Sequence, residues 1–172
     1  MTTKTTKTTK TMKTTKTIKA VTPSSPTFGD EMLSQHLRLR LLLRAIDEVL
    51  STPGEQSEGQ PLASALVVLA TDLHRELPGH FEFEERDGYF LDVARLAPEM
   101  SKELDQLKRD HVDLLERSSA LLDLSFQVLK RSRRWAEARS AFGALSSRLI
   151  KHENKENSIM QDVFSLDIGQ SG

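Results

Sequence analysis

Four stretches of this chain carry apolar residues at alternating steps of three and four, and each of those stripes is interrupted by histidine. The first runs Met32, His36, Leu39, Leu43, Ile46, Leu50, and the second Leu62, Leu66, Leu69, Leu73, Leu77, His80, Glu84. The third is Met100, Leu104, Leu107, His111, Leu114, Ser118, Leu121, Ser125, Val128; the fourth is Trp135, Ala138, Phe142, Leu145, Leu149, His152, Glu156, Ile159, Val163. Such a period is the inward seam of a helix in a bundle, so four histidines and two glutamates are aimed at one interior. The expected fold is all-α, a four-helix bundle running up, down, up, down.

In the second stripe one step of four falls where three was due, beside Pro78 and Gly79. Proline inside a helix removes a backbone bond, so a kink or break just before His80 is expected, and with it a hypothesis that the bend aims His80.

Depth in the bundle matters as much as direction. With helices starting near Glu31 and Glu99 and ending near Leu96 and Ser165, the polar positions on the second, third and fourth helices agree in level to within about one turn. Spacing selects between adjacent carboxylates. A residue four positions on returns to within about 40° of the same face, whereas five positions on it stands about 140° away. Glu84 therefore joins His80 and Glu85 does not; Glu156 joins His152 better than Glu153 does.

A single histidine on an apolar stripe is most often a hydrogen-bonded core residue. Four of them, two with a carboxylate one turn later and all at one level, form a cluster whose burial demands partners, and metal ions supply them. The candidate ligands are His36, His80, Glu84, His111, His152 and Glu156. Imidazole and carboxylate suit iron, manganese or zinc, and a chain without cysteine has no thiolate or iron–sulfur ligation. Six ligands exceed the four of a tetrahedral zinc. Two ions sharing both glutamates would use all six and leave each ion open to water or a small gas.

His36, the phrase "ELPGHFEFEER" around His80 and Glu84, "RDHVDLLE" around His111 and "KHENKE" around His152 and Glu156 resemble the four metal-binding segments of the hemerythrin-like, or HHE cation-binding, proteins. The resemblance spans roughly residues 31 to 165. It implies two oxo- or hydroxo-bridged non-haem irons, without haem or iron–sulfur cluster, Glu84 and Glu156 carrying the bridging carboxylates. Ferritin-like di-iron proteins differ, because their glutamate precedes histidine by three residues, a spacing no histidine has here. The oxygen-carrying hemerythrins have a further histidine where this chain has Leu115. A four-histidine, two-glutamate set is similar to di-iron proteins associated with iron–sulfur cluster repair under oxidative and nitrosative stress, and to hemerythrin-like iron and oxygen sensors. The implied ligands are oxygen, nitric oxide or peroxide. Two readings stay open: an enzyme-like di-iron protein, with a protein partner for electron or iron transfer, and a non-catalytic sensor or storage module.

The fifth histidine, His74, stands about 120° from His80 around the helix and reads as exposed or flanking, with a hydrogen bond to a ligand as the alternative. Ser118 and Ser125 read as small residues permitting close packing, Phe81 and Phe83 as cover for the site, and Trp135 as the anchor of one bundle end.

Residues 1–20 are almost entirely Thr and Lys and are expected to be disordered, with a linker to Asp30; together these form a tail over 1–30, ahead of a bundle over 31–166 and a flexible 167–172. Residues from Ser51 to Pro61 read as the first inter-helix loop. The tail holds six lysines, so the 24 basic and 25 acidic residues of the chain become 18 and 25 in the body. An acidic bundle is not a nucleic-acid binder. No stretch reads as a secretory signal or a membrane span, which points to the cytoplasm.

Overall fold

Helix forms wherever the stripes lie, because only that period gathers their apolar side chains on one face. The computed structural model describes residues 28–52, 59–86, 89–130 and 134–169. Within them run α1 (Phe28–Ser51), α2 (Gly59–Arg86), α3 (Tyr89–Leu96), a 3-10 turn at Pro98–Met100, α4 (Ser101–Lys130) and α5 (Trp135–Gly169). Most of the Thr/Lys tail and linker, residues 53–58 of the first loop and residues 170–172 lie outside the described residues.

Four boundaries differ from the sequence expectation, one being that Gly59–Pro61, expected in the first inter-helix loop, already belong to α2. Helix α1 begins at Phe28, inside the expected linker, and α5 runs to Gly169, so that 167–169 are helical. The second helix stops at Arg86, and Tyr89–Leu96 form the separate α3. The expected kink or break at Pro78 is met by one helix that carries Pro78 inside it without interruption. Pro78 is on the exposed side, while Leu77, His80 and Phe81 beside it are buried and hold α2 in place.

Pairwise contacts give the topology. Gln35 meets His80 and Arg38 meets Glu76, so α1 and α2 are antiparallel. Glu85 meets His111 and His74 meets Ser118, which makes α2 and α4 antiparallel as well. Asp113 and His111 meet Arg148 and His152 of α5, and Glu156, Glu153 and Arg139 of α5 meet His36, Arg40 and Leu50 of α1. The four long helices therefore close an up-down-up-down ring.

The core is divided. One apolar cluster, including Leu39, Ile46, Leu66, Leu73, Leu114, Leu121, Leu145 and Leu149, fills the end anchored by Trp135. A smaller one of Met32, Tyr89, Phe90, Val93, Leu104, Leu107, Ile159 and Val163 fills the other end, with α3 as its lid. On α1, α4 and α5 the polar positions fall between the two clusters, and on α2 they lie around Phe81, the last member of the larger one.

Candidate metal centre

The spacing of four does what helix geometry requires. Nε2 of His80 lies 2.8 Å from Oε1 of Glu84, and Nε2 of His152 lies 2.9 Å from Oε1 of Glu156. His36 and His111 enter from α1 and α4, and none of the six side chains' residues is more than 4 % exposed.

The six divide into two overlapping groups. His36, His80, Glu84 and Glu156 offer atoms that all lie within 4.8 Å of one another, and so do Glu84, His111, His152 and Glu156. Both glutamates belong to both groups. Glu84 turns Oε1 toward His80 and His36, at 2.8 and 3.9 Å, and Oε2 toward His111 and His152, at 3.1 and 3.8 Å. Glu156 likewise places Oε2 at 3.5 Å from His36 and Oε1 at 2.9 Å from His152.

These donors suit cations and are poorly served without them. Nε2 of His36, Nε2 of His80 and all four carboxylate oxygens of Glu84 and Glu156 are buried without a hydrogen-bond partner, despite the short separations. Unpaired buried polar atoms cost free energy, whereas coordination to a shared ion satisfies nitrogen and oxygen together. A family model described as the hemerythrin HHE cation binding domain matches residues 27–164. The chain belongs to this family. No curated protein and no solved structure gave a significant match. Among the described residues, no helix of this hemerythrin domain is long and apolar enough to cross a membrane.

Protons stand in when metal is removed. Burial opposes charge on His36 and His152, yet the carboxylates of Glu156 and Glu84 outweigh it and raise both imidazoles to about 9. Burial likewise opposes charge on Glu84, and the four histidines around it hold its carboxyl well below the usual range. A folded-state pKa raised above the ordinary histidine value contributes stability that is complete below about 6.5 and lost as pH rises through about 9. The lowered Glu84 contributes stability at and above the ordinary carboxylate range and loses it only in acid. Chelator-treated protein is therefore expected to melt at progressively lower temperature between about pH 6.5 and 9, whereas metal affinity, which needs neutral imidazoles, rises over the same range. A melting temperature of the chelated protein that stays flat across that window would contradict this arrangement of charge.

Around the six lies a layer that the stripes do not reveal. His111 donates from Nδ1 to Oε1 of Glu85 at 2.6 Å, and His80 donates from Nδ1 to Oε1 of Gln35 at 3.1 Å. Both rings thus present Nε2 to the centre. Spacing keeps Glu85 off the interior group, and the fold places it where it pairs with a histidine of the next long helix. Glu153, passed over in favour of Glu156, is also buried and accepts from Nε of Arg40 at 2.9 Å. Asp110 pairs with Arg148 across the α4–α5 interface at 2.7 Å. Tyr89 donates to the backbone carbonyl of Glu156 at 3.0 Å, which ties α3 to the centre.

The other residues singled out in the sequence take plain roles. His74 is half-buried, outside both groups, and pairs through Nδ1 with the Ser118 hydroxyl at 2.8 Å. Ser118 and Ser125 each donate to a carbonyl of their own helix, at Leu115 and Leu122. Phe81 stacks on the His111 ring with centroids 4.1 Å apart, while Phe83 packs against the smaller apolar cluster.

Proposed function

We propose that this hemerythrin domain holds two non-haem irons, one on His36 and His80, the other on His111 and His152, with Glu84 and Glu156 spanning both. The observation that carries this reading is that each glutamate turns one oxygen to each pair of histidines. Two imidazoles and two carboxylate oxygens would serve each ion, a donor set that would leave room for an outside ligand. When bound, iron supplies redox chemistry toward oxygen, nitric oxide or peroxide. The chain's residues would hold the ions, and the apolar clusters above and below the layer limit the approach of water from either end. The bundle over 31–166 is the working unit, acting in the cytoplasm in oxidative or nitrosative stress or in iron–sulfur cluster repair. With no cysteine in the chain, any thiol step in such a repair falls to a partner protein.

Metal content by plasma mass spectrometry, followed by an optical spectrum in air, tests the centre. About two irons per chain with a near-ultraviolet oxo-bridged ferric absorption are expected. His74→Ala should leave that content near normal, because His74 belongs to neither group; a loss as large as that of His80→Ala would mean that metal content only follows folding. Catalytic consumption of peroxide or nitric oxide then separates an enzyme from a sensor or store, which would bind stoichiometrically without turnover. A folded protein without metal, or with a single zinc, would overturn the reading.

A further inference from the structure

We propose that the two halves of the centre are unequal, the His111–His152 half taking up metal first and more tightly, with Glu85 as the positioning residue that sets the order. The inference rests on the two-metal reading above. It adds what the six ligands alone do not contain, since by their identities the halves are alike: two imidazoles each, and the same two shared carboxylates.

Three observations break that symmetry. The first is the outward partner of the ligating ring. A histidine that donates its far nitrogen to an anion becomes a stronger donor through the near one, because the carboxylate draws the proton and leaves electron density on the ring. His111 has this partner in Glu85 at 2.6 Å, whereas His80 has only the neutral amide of Gln35 at 3.1 Å; Nδ1 of His152 is buried without a partner, so within the His111–His152 half the effect acts through His111 alone. Among the described residues, the ion-pair partner of the Glu85 carboxylate is His111. The buried carboxylate of Glu153 also acts on His36 through its charge, and is itself paired with the half-exposed Arg40 guanidinium at 2.9 Å.

The second observation is preorganisation. The His111 ring lies between two phenylalanines, Phe81 at 4.1 Å and 6° and Phe90 at 5.7 Å and 17°. Stacking and the hydrogen bond together fix the ring in one orientation, so little freedom is lost when metal binds. His80 meets Phe81 only at a tilt, 5.6 Å and 43°, and meets His36 edge-on. The third is room. A cavity of about 260 Å³ lined by Gln35, Arg38, Arg75, Glu76, Gly79 and His80 reaches the His80 side of the layer. That half accordingly has open space beside one of its rings.

Anaerobic titration of chelator-treated protein with Co(II), followed by calorimetry, reads the two steps directly. The wild type is expected to bind two equivalents in two resolved steps. Glu85→Gln keeps the shape of a side chain that is 39 % exposed, so the fold should be preserved. It is expected to weaken the tighter step by about 10- to 100-fold while leaving the weaker one in place. Gln35→Glu, which gives His80 the anion it lacks, is expected to tighten the weaker step and draw the two together. Two equal steps in the wild type, or a Glu85→Gln protein with both steps unchanged or both equally weakened, would overturn the inference while leaving two metals in place. Failure of the wild type to bind Co(II) at all would overturn the two-metal reading along with it.

Discussion

Glu84→Ala is expected to empty both halves of the centre at once, whereas His111→Ala should empty one. Glu84 is fully buried and, among the described residues, is the one side chain whose two oxygens approach all four histidines. Its loss removes a donor and a negative charge from each group together. Each ion is left with two imidazoles and a share of Glu156, and its positive charge is compensated by one carboxylate where there were two. Iron content should fall by more than about tenfold, since even partners of ligands cost about that much when removed. His111→Ala leaves the His36–His80 group with all its donors, so about one metal per chain should remain. The chelated protein should also lose stability in Glu84→Ala, because His36 and His152 carry charge near neutrality and Glu84 helps to balance them. Circular dichroism at pH 7 and above about pH 9, where the imidazoles are neutral, separates that effect from loss of ligand. A folded Glu84→Ala protein that retains full iron would show that the two oxygens do not bridge.

The stripes made the bundle and the six interior residues legible, because both follow from period alone. The one irregular step of the second stripe carried more information than its leucines. A strictly alternating walk through Ala63, Leu66, Ala70, Leu73, Leu77, His80 and Glu84 marks the buried face, while Leu62 and Leu69 are only half-buried. Size favoured leucine over alanine in the sequence; the helix places alanine where α2 packs closely. The end of α2 was hidden by the apolar Tyr89, Phe90 and Val93, which prolong the pattern, although Asp87-Gly88 is a turn signal. Glu85 and Gln35 could not be assigned from spacing. Their partners, His111 and His80, are 26 and 45 residues away, and which outward side chain meets which ring depends on the vertical register between helices. That register is set by packing, to a fraction of a turn, and no single helix's period contains it. Leu115, where oxygen carriers have histidine, is half-buried against the larger apolar cluster, so here the position completes the core.

Phe81→Ala should destabilise the domain more than any other single truncation at this level of the bundle. Phe81 is 3 % exposed and stands at the boundary between the large apolar cluster and the polar layer. Its ring stacks on His111 at 4.1 Å and meets His152 edge-on at 5.7 Å. Truncation removes buried area and leaves a cavity the rigid helices cannot close, at a cost of about 3–5 kcal/mol. Against the roughly 5–15 kcal/mol that holds a domain of this kind together, such a loss is a large share. The cavity would also border charged groups, so water would enter and soften the separation between core and centre. Phe81→Leu fills most of the space and gives up chiefly the ring contacts, about 0.5–1.5 kcal/mol. Urea unfolding of chelated and iron-loaded protein measures both variants. The alanine variant should lose the larger amount in both forms, and its iron-loaded form should lose more than its chelated form, because the His111 ring it releases is a ligand only when metal is bound. A Phe81→Ala protein within about 1 kcal/mol of wild type in both states would mean that the bundle closes over the gap and that the ring neither supports the core nor holds His111.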